Sequence, residues 1–101
     1  MNERLRGYLG LAHRGRMALI GKAIIETWNK RKVYVLVLAN DAQSTTQEKL
    51  VLRAKEINVP ILYAGSKAEL GQALGLREVS SIAISDKGLA TQIIAVIKEE
   101  S

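Results

Sequence analysis

The sequence has no cysteine, a single histidine, a single proline and no long apolar run. Without thiols it can build neither a disulfide framework nor a thiolate metal site, and it fits a reducing compartment. One histidine cannot furnish a multi-histidine metal centre. The longest unbroken apolar stretch, Val33–Ala39, has seven residues, against the ~20 that span a bilayer. The opening Met-Asn-Glu-Arg carries charge through position 6 and has no apolar core, so it does not read as a signal peptide. Linkers rich in proline or serine, low-complexity tracts and repeats are also missing. The 101 residues are expected to form one domain, residues 1–101, around one core.

What the chain does have is unevenly spread charge. Its 15 Lys+Arg face 10 Asp+Glu, a net charge of +5. Residues 1–32 hold eight basic side chains (Arg4, Arg6, Arg14, Arg16, Lys22, Lys30, Arg31, Lys32) and two acids (Glu3, Glu26), a surplus of six. Residues 33–101 hold seven basic and eight acidic residues, a deficit of one. A basic segment beside a near-neutral one points to a polyanion-facing surface, nucleic acid first and a membrane surface second. The plainer alternative is that these residues only solvate helix faces.

Apolar spacing supplies the elements. Leu5, Tyr8, Leu9 and Ala12 form one stripe of an amphipathic helix, broken at Gly15. Met17–Ile20 reads as a short strand, and Ile24, Ile25 and Trp28 form the stripe of a helix over Lys22–Lys30. Val33–Ala39 reads as a strand buried on both faces. Asn40–Ser44, Gln43 included, is a loop ending in capping residues. A helix begins at Thr45 or Thr46 and runs to about Asn58, burying Leu50, Ala54 and Ile57. Pro60 stops it, and Ile61–Ala64 is a strand. Ser66 with Glu69 is a capping-box pattern, opening a helix with Leu70, Ala73 and Leu74 that closes at Gly75. Ile82–Ile84 is a further core strand, and Asp86 caps a last helix carrying Leu89, Ile93 and Ile97. Alternating strands and helices predict an α/β fold with helices on both sheet faces.

Chemistry-bearing motifs are few. Gly15 to Lys22 has five residues between its glycines, and Ala23 stands where a phosphate loop needs Ser or Thr, so it is not a P-loop. Gly71 and Gly75 lie in a short helix bearing Gln72 and carry no membrane meaning. No G-x-G-x-x-G occurs, and nothing calls for a cofactor. Catalysis would require a Ser or Thr paired with His13, or two carboxylates such as Asp41 and Asp86. A solvated turn accounts for His13, and helix caps account for both aspartates. The more specific feature is Arg14-Gly15-Arg16 leading to Gly21-Lys22. A glycine opening a helix lets another backbone approach closely. First-turn N–H groups and flanking cations there favour phosphate. A glycine placed only to turn the chain is the competing explanation.

Four blocks, in order, resemble one family. Leu9-Gly10-Leu11-Ala12-His13-Arg14-Gly15-Arg16, followed by Gly21, is similar to an L-G-L-A-x-R-A-G-K opening. Val35–Ala42 resembles a strand ending in A-E-D-A. Asn58-Val59-Pro60-Ile61 resembles an I/V-P segment leading into a strand. Gly65–Gly75 is close to an S-K-x-x-L-G-x-A-x-G block. Together they resemble the ribosomal protein family of archaeal L7Ae and eukaryotic L30e, in its YlxQ-type bacterial branch. The resemblance spans about residues 5–90. It implies a three-layer α-β-α sandwich around a four-stranded mixed sheet. It also implies binding of structured RNA, ribosomal RNA included, at kink-turns or related loops in the cytoplasm, in association with ribosomes or translation.

In that family a glycine-led helix enters the widened groove at sheared G·A pairs, and the loop before the last strand meets a flipped-out nucleotide. Carried over, Arg14, Arg16 and Lys22 contact phosphates, Gly21 permits close approach, and Ala23 and Asn40 stand at contact positions. Arg77 and Val79 flank the RNA-facing loop. Archaeal members have Asn, Glu and Lys where this chain has Ala23, Ile24 and Thr27, and Ala23 and Ile24 offer no hydrogen bonds to base edges. Asn40 replaces the acidic residue of A-E-D. The reading is a non-catalytic RNA-binding module, with neither DNA specificity nor a membrane partner. Two other readings stay open: a protein-interaction domain in which Ile24 and its neighbours bury against a partner, and an enzyme built on His13 or paired carboxylates.

Overall fold

Each helix begins where a short polar side chain or a glycine can meet the backbone. The computed structural model describes residues 1–42 and 44–99; Gln43 of the Asn40–Ser44 loop lies outside the described residues. Helix α1 (Glu3–Arg14) starts at Asn2, whose side-chain oxygen accepts the Arg4 and Leu5 N–H groups at 2.7 and 3.3 Å. Strand β1 (Ala18–Ile20) leads through Gly21 into α2 (Lys22–Thr27), and β2 (Val35–Leu38) follows. Helix α3 (Thr45–Glu56) begins at Ser44, whose Oγ accepts the Gln47 N–H at 3.1 Å. After β3 (Ile61–Tyr63) comes α4 (Lys67–Leu74), with the full Ser66–Glu69 capping box. Strand β4 (Ser81–Ile84) precedes α5 (Lys87–Glu99), and the Asp86 carboxylate accepts the Leu89 N–H at 2.8 Å.

The strands form one mixed sheet in the order β1-β4-β2-β3. β1 and β2 each pair antiparallel with β4, and β2 pairs parallel with β3. Side chains alternate across the sheet, and the core divides accordingly. Val35, Val37, Ile82 and Ile84 pack with α1, α4 and α5; Leu36, Leu38 and Ala83 pack with α2 and α3. This is the expected three-layer α-β-α sandwich around a four-stranded mixed sheet.

Several local expectations are corrected. α2 ends at Thr27 instead of Lys30, because the Thr27 carbonyl accepts both the Lys30 and Arg31 N–H groups at 3.0 Å and turns the chain. Ile57 is 40% exposed instead of buried. α3 stops at Glu56, so Ile57 leaves the Leu50–Ala54 stripe with φ −110° and ψ 13°. Ile24 is fully buried, so it has no surface to offer a partner. Asp41 is a helix cap as expected, serving α4 across the fold by accepting the Lys67 N–H at 2.8 Å, while Ser44 caps the helix of its own segment.

Candidate nucleic-acid interface

One end of the sheet gathers the turns after β1, β2 and β3 and the loop before β4. Gly21 sits there at φ 57° and ψ −130°, a region that side-chain-bearing residues avoid. A Cβ at Gly21 would meet nothing within 4 Å, so backbone conformation, not crowding, requires the glycine. Its N–H donates to the Ser81 carbonyl at 3.2 Å, and its carbonyl accepts the Ile24 N–H at 3.0 Å. The Ser80 carbonyl accepts from the Ala39 N–H at 2.9 Å and from Gln47 Nε2 at 3.3 Å. Asn40 is exposed, and its N–H donates to the Gly65 carbonyl at 2.8 Å. Three separate turns are thus tied into one surface.

The loop between α4 and β4 is fixed along its length. Gly75, at φ 74°, ends α4, and the Leu76 N–H returns to the Gly71 carbonyl at 2.8 Å. A Cβ on Gly71 would lie 2.4 Å from the Arg77 carbonyl oxygen, so only glycine allows this loop to press against α4. The Val79 N–H donates to the Lys67 carbonyl at 3.0 Å.

The nominated residues fall into two groups. Gly21, Lys22, Ala23 and Asn40 share the Gly21 end, with Lys22, Ala23 and Asn40 exposed, and the loop carrying an exposed Arg77 ends there. Val79 is only 3% exposed and packs in the core, so its side chain anchors the loop from inside; Leu76, 45% exposed, is the apolar residue the loop presents. Arg14 and Arg16 precede β1, at the far end of that strand from Gly21, roughly 10 Å of strand away. The Arg14 guanidinium lies back over Gly10 of α1. Arg16, at φ 59°, receives a hydrogen bond on its carbonyl from the Arg31 guanidinium.

With only six residues in α2, positive charge beside Gly21 comes from the exposed Lys22 more than from a helix dipole. The Thr27 hydroxyl donates to the Ala23 carbonyl at 2.6 Å, so it is already engaged within the helix. Sequence reasoning missed Gln47 and Ser80. Gln47 is 7% exposed, and its bond to Ser80 joins positions 33 residues apart, which no local pattern announces. Among the described residues, no group of three or more His, Cys, Asp or Glu is placed to hold a metal ion, and no helix is long and apolar enough to cross a membrane.

Near the same end, the Met1 amine lies 2.7 Å from the Glu69 carboxylate. That ammonium group, followed by the Ser66 N–H, holds the Glu69 carboxyl below its ordinary value. The start of α4 is therefore pinned by charge as well as by its capping box.

A family model for the ribosomal protein L7Ae/L30e/S12e/Gadd45 family matches residues 4–94. The RNA-binding protein YlxQ of Bacillus subtilis (strain 168) is 33% identical over 91 residues, covering 88% of this chain and 90% of that protein. A solved protein of unknown function from Bacillus halodurans C superposes with a TM-score of 0.86 at 28% identity, over 96% of this chain and 99% of that one. A 15.5 kD RNA-binding protein of Giardia lamblia shares the fold, with a TM-score of 0.74 at 18% identity, over 100% of this chain and 93% of that one.

Proposed function

We propose, because the chain belongs to the ribosomal protein L7Ae/L30e/S12e/Gadd45 family, that it is a non-catalytic module that binds structured RNA through the Gly21 end of its sheet. The observation that carries this reading is Gly21 itself. It is a positive-φ glycine in open space, hydrogen-bonded to the strand that follows the α4–β4 loop and flanked by exposed Lys22. Its missing side chain leaves room for a nucleic-acid backbone, while Lys22 and Arg77 supply phosphate contacts. A relative one-third identical over most of both chains carries the name RNA-binding protein.

Within that class, a kink-turn or a related bent loop is the target that suits this surface, with ribosomal RNA a fitting source and a cytoplasmic, translation-associated role. Recognition rests on backbone shape more than on base edges. Ala23 has no polar side chain, Ile24 is buried, and the Thr27 hydroxyl is occupied by Ala23. The burial of Ile24 also weighs against a protein-interaction domain, leaving only Ala23 and Ile25 of that apolar run exposed. Fluorescence titration against a kink-turn hairpin and a matched straight duplex tests the reading. Tighter binding of the hairpin by about tenfold is expected, and Lys22→Gln should weaken it. Equal, millimolar-range affinity for both at moderate salt overturns it.

A further inference from the structure

The basic residues that do not reach the Gly21 end are not scattered. Between α2 and α3 runs a row of three hollows of about 200, 250 and 330 Å³. The first and second share Ile25 and Lys49; the second and third share Trp28, Asn29 and Arg53. They therefore form one groove. It begins at Lys22, beside Gly21, and ends at Arg31 and Lys32, by the far end of the sheet.

Five cations line this groove: Lys22, Lys49, Arg53, Arg31 and Lys32. They come from α2, α3 and the turn before β2, so folding alone brings them together. Glu26 is the one acidic residue lining the hollows among the described residues. No ion pair forms on Lys22, Lys49, Arg31 or Lys32 among the described residues; Arg53 meets Glu56 at 3.6 Å and donates to Asn29 Oδ1 at 2.9 Å. Lys32 Nζ stands 5.3 Å from the Tyr34 ring centroid, which orients that charge without neutralising it. A concave, elongated surface on which cations outnumber the acid five to one focuses positive potential along its length.

We infer that this groove carries a strand of RNA away from the Gly21 end, with its phosphates tracking Lys22, Lys49 and Arg53 towards Arg31 and Lys32. The inference rests on RNA being the ligand at the Gly21 end. From Thr46 to Glu56, α3 extends about 15 Å at 1.5 Å per residue. That length admits about four phosphates at the 3.4 Å per-strand spacing of a stacked strand. The groove therefore fits the extension of a bound RNA better than it fits a flat lipid surface.

The experiment compares a blunt kink-turn hairpin with the same hairpin carrying a roughly ten-nucleotide oligouridine tail, within the site size of single-strand binders. The tail should tighten wild-type binding about tenfold at low salt. Lys32→Gln/Lys49→Gln should lose that gain, with a salt slope smaller by about 1.4, two contacts at 0.7 each. Its melting temperature and its affinity for the blunt hairpin should be unchanged. Lys55→Gln/Lys87→Gln, which removes two exposed cations outside the groove, should keep the gain. A tail that adds nothing to a hairpin that still binds overturns the groove alone. Equal losses in the two double variants overturn it as well. Poly-glutamate that competes with the tail as well as free oligouridine does overturns RNA as the occupant. Absence of any hairpin binding overturns the Gly21-end reading and the groove with it.

Discussion

On one face of the sheet, α1, α4 and α5 help bury a cluster of sixteen residues; on the other, α2 and α3 help bury eight, counting the described residues. The larger layer is also capped throughout, by Asn2, by Ser66 with Glu69 and Asp41, and by Asp86. In the smaller layer α2 has six residues and no side-chain cap, and it opens on a glycine at positive φ. Gly21, Lys22 and the cationic groove all belong to the smaller layer. The contrast teaches a division of labour: one layer supplies the stability that holds the sheet, and the other presents residues whose placement the sheet dictates.

The largest expected effect is on the larger layer. Leu9 is fully buried, and Leu9→Ala should cost about 3 kcal/mol, lowering the thermal midpoint by roughly 15 °C. Urea denaturation should show all elements melting together. Melting of α1 alone, with the α2–α3 layer intact, would break the comparison.

Gly21→Ala comes next. The added methyl has space, so the cost is backbone strain, about 2 kcal/mol. Because α2 is short and uncapped, that strain should appear as local opening. Amide exchange in residues 22–27 should rise roughly thirtyfold, while the global midpoint falls less than in Leu9→Ala. Hairpin affinity should fall with it. Global destabilisation without local opening would mean that the two layers are not energetically distinct.

The smallest effect is electrostatic and confined to the start of α4. The Glu69 carboxyl titrates below its ordinary value of 4.5 in the folded chain. Its contribution to stability is therefore present above that value and is lost as pH falls through the lowered one. Wild type should melt above Glu69→Gln at neutral pH, and the two should converge in acid. A constant gap across the range would show that the Met1 ammonium is not the cause. No comparable pH response is expected at α2, whose start has no titratable cap.

Much of the fold was legible because its signals are local. The Ser66–Glu69 box, the Asp86 cap and the Gly75 stop each depend on residues within a few positions of one another and appear as expected, and the doubly buried strand expected over Val33–Ala39 forms over its centre, Val35–Leu38. Legibility failed where the partner is distant in sequence. Asp41 reads as a helix cap and is one, yet which helix it serves is not a local matter, because its carboxylate accepts the N–H of Lys67, 26 residues on. Val79 reads as flanking the RNA-facing loop, yet the return of the loop to the Lys67 carbonyl turns its side chain inward. Ile57 keeps the right spacing, but the helix ends before reaching it.

The charge asymmetry shows the boundary most clearly. Composition and spacing alone determined that residues 1–32 are basic, that strands and helices alternate, and that Gly21 opens a helix beside a lysine. These follow from short-range stereochemistry and from counting. Only the tertiary structure decided that the surplus divides. β1 puts Arg16 and Gly21 at its opposite ends, and Arg14 turns back over α1. Packing of α2 against α3 brings Lys49 and Arg53 into line with Lys22, Arg31 and Lys32. The physical reason is that β4, near the end of the chain, inserts between β1 and β2. Which charges become neighbours is set by strand order, and strand order is set by long-range pairing that no segment encodes by itself.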